Sequence, residues 1–116
     1  MQKYLILYMM PTSGLDAWKE KTEAERKEAE TKMRQEWGAW GAANAGAILE
    51  AAGAGATKRV TKAGIADARN EIMLYSIVQA ESDEAITKMF ENHPHLGIPE
   101  AWIDIMPANV IPGMGA

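Results

Sequence analysis

Tyr4-Leu5-Ile6-Leu7-Tyr8-Met9 decides the fold. Large apolar side chains stand at every position, so both alternating faces of a strand built from it are apolar. That is the pattern of a strand covered on both sides, at the centre of a sheet rather than at its edge. Residues 71–79 repeat it, with Ile72, Leu74, Ser76 and Val78 on one face and Met73, Tyr75, Ile77 and Gln79 on the other. Around these two central strands, residues 47–51 and 57–61 have strand character, and Ala101-Trp102-Ile103-Asp104-Ile105-Met106 alternates as a last strand that Pro107 ends.

Helical patterning fills the intervals. Pro11-Thr12-Ser13-Gly14 breaks the first strand, and residues 15–21 read as a loop or a single helical turn carrying Trp18. Thr22-Glu23-Ala24-Glu25 is a capping box, in which the threonine hydroxyl and the glutamate carboxylate satisfy free N–H groups of an opening turn. The long helix it starts carries a stripe of Ala29, Met33, Trp37, Trp40 and Asn44 between charged residues, and Gly46 is placed to close it in the left-handed conformation. Ala52-Gly53-Ala54-Gly55-Ala56 matches no phosphate-binding loop and reads as a flexible or bulged crossing. Ser82 caps a second helix with Asp83 and Glu84 in its first turn and Ala85, Ile86, Met89 and Phe90 as its apolar stripe. Pro94 cannot donate to a helical ladder, so that helix stops before it.

The order strand, helix, strand, strand, helix, strand is the split βαβ arrangement of an α+β, ferredoxin-like fold, with both helices on one face of an antiparallel sheet. Strands apolar on both sides with helices for only one side predict a homodimer packing sheet against sheet, with Met73, Tyr75 and Trp102 as suitable material. The chain of 116 residues fits a single domain over residues 1–107 with a tail over residues 108–116. It has no cysteine, which removes disulfides and thiolate chemistry and makes the cytoplasm the default compartment. The apolar run at its N-terminus is too short to cross a membrane. A net charge of −4 argues against nucleic acid. Lys58, Arg59, Lys62 and Arg69, diluted by Asp67 and Glu71, read as a solvated face of a hairpin.

Chemistry centres on Asn92-His93-Pro94-His95-Leu96-Gly97, which holds both histidines of the chain. Imidazole is the side chain whose unperturbed pKa lies near neutrality, and the alternative role for a histidine here is to cap a helix end. If the strand opening at Glu71 and the helix ending near His93 lie antiparallel, the imidazoles share a cleft with Arg69, Asn70 or Glu71. Trp37 and Trp40, with Gly38 and Ala39 between them, either wall a pocket or fill the core. His-x-His would need further metal ligands from Glu91, Glu100 or Asp104, and no metal or cofactor is expected.

Lys3-Tyr4-Leu5-Ile6-Leu7-Tyr8, the stretch from Ala63 to Glu71, His93-Pro94-His95-Leu96 and Trp102-Ile103-Asp104-Ile105-Met106-Pro107 together resemble the YCII-related proteins, which include the DGPF-domain proteins. The resemblance covers nearly the whole chain. It implies a dimeric α+β barrel with a cleft between sheet and helices, in a family that includes lyase-like members acting on chlorinated aromatic rings and others for which a His/Asp pair has been proposed as catalytic. The function expected is binding of a small organic ligand, aromatic or carbonyl, with Asn70, Glu71, Trp37, Trp40 and Tyr75 around it. One alternative is a lyase-like or dehydrochlorinase-like enzyme with His93 or His95 as base and Arg69 stabilising negative charge. The other is a non-catalytic structural or interaction protein.

Overall fold

The computed structural model describes residues 1–114. Six strands and three helices follow one another: β1 (Gln2–Met9), α1 (Thr12–Glu20), α2 (Glu23–Ala43), β2 (Ile48–Gly53), β3 (Thr57–Thr61), β4 (Gly64–Ala68), β5 (Ile72–Ala80), α3 (Asp83–Phe90) and β6 (Trp102–Pro107), with a 3-10 turn at Pro94–Gly97 before the last strand. Four strands form one sheet in the order β2-β5-β1-β6, and β3 and β4 form a separate two-stranded sheet. Every pairing is antiparallel. The architecture is therefore α+β, with a four-stranded antiparallel sheet, a hairpin and three helices.

Register divides the sheet into two unlike faces. Tyr4, Ile6 and Tyr8 of β1 lie opposite Val78, Ser76 and Leu74 of β5, and this side meets Ile86 and Phe90 of α3 and Trp37 and Trp40 of α2. Ile6, Val78 and Ile86 are completely buried there. Burying one such aliphatic side chain contributes about 1.5–3 kcal/mol, so this small set supplies much of the driving force. Leu5 and Leu7 face the other way, opposite Ile77 and Tyr75, and that side is only partly covered.

Several sequence expectations change in detail. Residues 15–20 are neither loop nor single turn but most of α1, a nine-residue helix with no buried side chain that ends at an extended Lys21. The stretch 62–70 is not a plain connection: residues 64–68 pair with β3, and Gly64, at φ +133°, takes the backbone conformation the tight Lys62–Ala63 reversal requires. The hairpin stays outside the main sheet. Gly46 does not adopt a positive φ, because Asn44 closes α2 itself, its Nδ2 donating to the Trp40 carbonyl at 2.9 Å. Register shifts lie within β2, between Ile48 and Glu50, and within β1, between Tyr8 and Met9, rather than in the alanine–glycine run. The tail expected over residues 108–116 includes residues 115–116, which lie outside those described.

The capping box forms as drawn. Glu25 N donates to Thr22 Oγ1, and Thr22 N donates to Glu25 Oε1, each at 3.2 Å. The stripe it should launch is at most half-buried, at Ala29, Trp37 and Trp40, while Met33 is exposed, and Trp37 and Trp40 are the side chains that reach the core. In α3, Ile86 and Phe90 are buried as the spacing requires, while Ala85 faces solvent. No described helix is long and apolar enough to cross a membrane.

Candidate functional site

Even-numbered positions of β1 deliver Tyr8 to the helix-covered face, where its hydroxyl meets Ser76 Oγ of the adjacent strand at 3.0 Å. From above, the last turns of α2 lower Trp37 and Trp40, and the last turn of α3 contributes Phe90. Pro94 then fixes the chain after α3. With helical continuation blocked, His93 becomes the N-cap of the 3-10 turn, and both imidazoles turn inward beneath the indoles. His93 is 2 % and His95 1 % exposed.

The rings form a single cluster. His93 lies 4.4 Å from Trp37 and 4.4 Å from Trp40 between centroids, stacks on Phe90 at 5.5 Å and sits 5.2 Å from Tyr8. His95 completes it, 5.6 Å from Tyr8 and 6.2 Å from Trp37 with both pairs near perpendicular. Perpendicular packing sets the electropositive edge of one ring against the face of another, a favourable arrangement for aromatic pairs.

Hydrogen bonds assign the protons. His93 Nδ1 accepts the backbone N–H of His95 at 3.0 Å, so the neutral ring carries its hydrogen on Nε2. His95 Nε2 lies 2.8 Å from the carbonyl oxygen of Met9 and must donate to it, which leaves Nδ1 with a bare lone pair. Burial keeps both rings uncharged. It lowers the His93 pKa to about 4, with the neighbouring His95 acting in the same direction. Burial also lowers the His95 pKa, against the opposing pull of the Met9 and Trp102 carbonyls. Tyr8 is pushed up by burial and held back in part by its Ser76 hydrogen bond.

Three nitrogens in this cluster are sealed from solvent and have no hydrogen-bond partner among the described residues: Trp37 Nε1, His93 Nε2 and His95 Nδ1. With the protons placed as above, two are donors and one is an acceptor. Buried polar groups are paired in the large majority of cases, and each unpaired one costs roughly 1–3 kcal/mol. Trp40 shows the ordinary solution, its Nε1 donating to the Met89 carbonyl at 3.3 Å. The chemistry available is a carbonyl-oriented imidazole able to accept a proton at Nδ1, beside two N–H groups able to hold an oxygen.

The candidate residues separate into three places. His93, His95, Trp37 and Trp40 come together. Arg69 and Asn70 instead line an open cleft of about 240 Å³ at the root of the hairpin, with Leu15, Thr57 and Met73 and with neither histidine. There Arg69 Nη2 reaches Asp16 Oδ1 at 3.3 Å, and Asn70 spends its side chain on Thr57 Oγ1 and the backbone N–H of Ile72. The shared cleft expected for Arg69, Asn70 and the imidazoles is not formed: the turn does reach the end of β1 that pairs with the start of β5, but its rings enter the helix-covered core while Arg69 and Asn70 line the hairpin cleft. Glu71 contributes its backbone there, its carbonyl accepting from Met10 N at 2.9 Å. Tyr75 lies on the opposite face of the sheet from Trp37 and Trp40, with its hydroxyl donating to Glu50 Oε2 at 3.0 Å.

Tyr8, Ser76 and Phe90 belong to the cluster although the motif reading did not select them. A serine on the apolar face of a central strand was the available signal, since a buried hydroxyl needs a partner. Among the described residues no three histidine or acidic side chains are grouped so as to hold a metal ion. Comparison with protein-family models and with curated proteins gives no match to this chain.

Proposed function

We propose that this protein binds a small organic molecule, aromatic or carbonyl-bearing, between α2 and the sheet at the His93–His95 turn. The carrying observation is the set of three partnerless nitrogens inside an aromatic enclosure, a combination that a core serving packing alone avoids. A ligand oxygen accepting from Trp37 and His93 offsets the cost of leaving them unpaired. Because these atoms are sealed, entry requires the short Pro94–Gly97 turn to swing away from β1, releasing the His95 contact to the Met9 carbonyl.

The bare Nδ1 of His95 favours a second reading, a lyase-like or dehydrochlorinase-like enzyme in which that nitrogen removes a proton from the bound molecule. Arg69 stands away from this centre, so the N–H groups of Trp37 and His93 take over the stabilisation of developing negative charge. The YCII-related family, a ferredoxin-like βαββαβ core and assembly as a dimeric α+β barrel are part of the same proposal. Their support is the antiparallel order β2-β5-β1-β6 together with the motif resemblance around His93-Pro94-His95-Leu96.

A thermal-shift screen with phenols, aromatic acids and small ketones tests the reading. A binder should raise the melting temperature of the wild-type chain and do so much less for Trp37→Phe, which keeps a ring but removes the N–H. A binder that stabilises both chains equally, or one whose resonance shifts map to the hairpin cleft, would overturn it.

A further inference from the structure

The unpaired nitrogens of the ring cluster differ in what they ask of a partner. Each imidazole has its proton fixed by a bond on its other nitrogen. His93 Nδ1 accepts from the backbone N–H of His95, so its Nε2 is a donor. His95 Nε2 donates to the Met9 carbonyl, so its Nδ1 is an acceptor. Indole Nε1 of Trp37 carries a proton always. The cluster therefore presents two donors and one acceptor, all sealed from solvent and without a partner among the described residues.

The three belong to one enclosure. Tyr8 stands among them, its ring 5.0 Å from Trp37, 5.2 Å from His93 and 5.6 Å from His95 between centroids. Trp37 meets His93 edge to face at 4.4 Å and lies 6.2 Å from His95. Tyr8 spends its own hydroxyl on Ser76 Oγ at 3.0 Å.

This pattern sorts ligand groups by their protons. A ketone or ether oxygen accepts from the two N–H groups but has nothing to give Nδ1. A carboxylate fails in the same way, and an ammonium group gives but cannot accept. A hydroxyl has two lone pairs and one proton, which is the complement of the site. Sites built to hydrogen-bond a hydroxyl reject analogues lacking it, because their buried polar groups are then left unpaired.

We infer that the group this site takes is a hydroxyl, accepting from Trp37 Nε1 and His93 Nε2 and donating to His95 Nδ1, so that its ligands are neutral alcohols or phenols. The inference rests on the ligand-binding reading above and narrows its chemistry to one functional group. Ketones, ethers and carboxylates of the same size are excluded by one missing proton.

Benzyl alcohol, benzaldehyde and benzyl methyl ether share a ring and differ at the oxygen, and each is titrated into the nitrogen-15-labelled wild-type chain. The alcohol should shift the side-chain resonances of Trp37, His93 and His95 and bind at least tenfold more tightly than the other two. The unprotonated His95 Nδ1 should move upfield as it accepts the hydroxyl proton, and should not do so with the ether. Aldehyde or ether binding at the cluster as tightly as the alcohol, or a His95 Nδ1 unmoved by bound alcohol, overturns the hydroxyl assignment and leaves the binding site standing. Cluster resonances unmoved by all three compounds overturn the site as well.

Discussion

At the scale of single residues, the neutrality of His93 has a consequence for pH. In the unfolded chain an imidazole titrates near 6.5, but in the folded protein His93 does so at about 4. Between those values the unfolded state binds the proton and the folded state does not, so stability falls as the pH falls through this window and levels off below it. The shift of about 2.5 units is worth roughly 3 kcal/mol in total, of which about 2 kcal/mol is lost by pH 5. His95, lowered in the same direction, adds to the loss. Urea unfolding at pH 7.5 and pH 5 should show this drop, and it should shrink in His93→Asn, which retains a capping acceptor without a titrating ring. Equal stability of the wild-type chain at both pH values would contradict the burial of the pair.

At the scale of elements, α2 is two different things along its 21 residues. Its C-terminal turns are fixed by Trp37 and Trp40, while its N-terminal half projects with exposed side chains and is held by local interactions: the capping box and the Glu30–Arg34 and Lys32–Glu36 pairs. Exposed pairs of this kind contribute only a few tenths of a kcal/mol each. Thr22→Ala, a loss of about 1 kcal/mol for a cap, should therefore speed amide hydrogen exchange over the first turns while scarcely moving the global melting temperature. A full-sized fall in melting temperature would mean that the projecting half is packed in solution.

Sequence periodicity read this helix start well because a capping box is local chemistry. Likewise β1, β5, α3 and β6 were legible from alternation and spacing. What it missed depends on contacts distant in sequence. The stripe through Ala29 and Met33 has the right spacing for burial, but Ala29 is only half-buried and Met33 is exposed. The meeting of Tyr8 with His95 depends on the direction in which the Pro94 turn folds. The separation of Arg69 from the imidazoles follows from its place at the hairpin root, where it reaches Asp16 of α1, a contact that no pattern within residues 62–71 encodes.

At the scale of the whole molecule, the shape is open. The radius of gyration is 16.3 Å, against the roughly 13 Å that a compact chain of this length would have. The extents of 49 × 45 × 20 Å are those of a slab about two layers thick. One layer is the sheet and the other its helices, so the second sheet face, with Leu5, Leu7 and Ile77 on it, is only partly covered by the described residues. Val60, Ile65, Val110, Ile111 and Met114 are also exposed beyond it. Monomeric proteins rarely leave contiguous apolar patches above a few hundred Å² in water. Pairing two slabs through the uncovered faces makes a four-layer particle with both sheets inside, and burying about 800 Å² per copy falls in the range of stable interfaces. The expected result is a species of twice the chain mass in sedimentation at micromolar concentration. A single species of one chain mass at about 10–100 µM, roughly −5.5 to −7 kcal/mol on the association scale, would show that the open face stays in water.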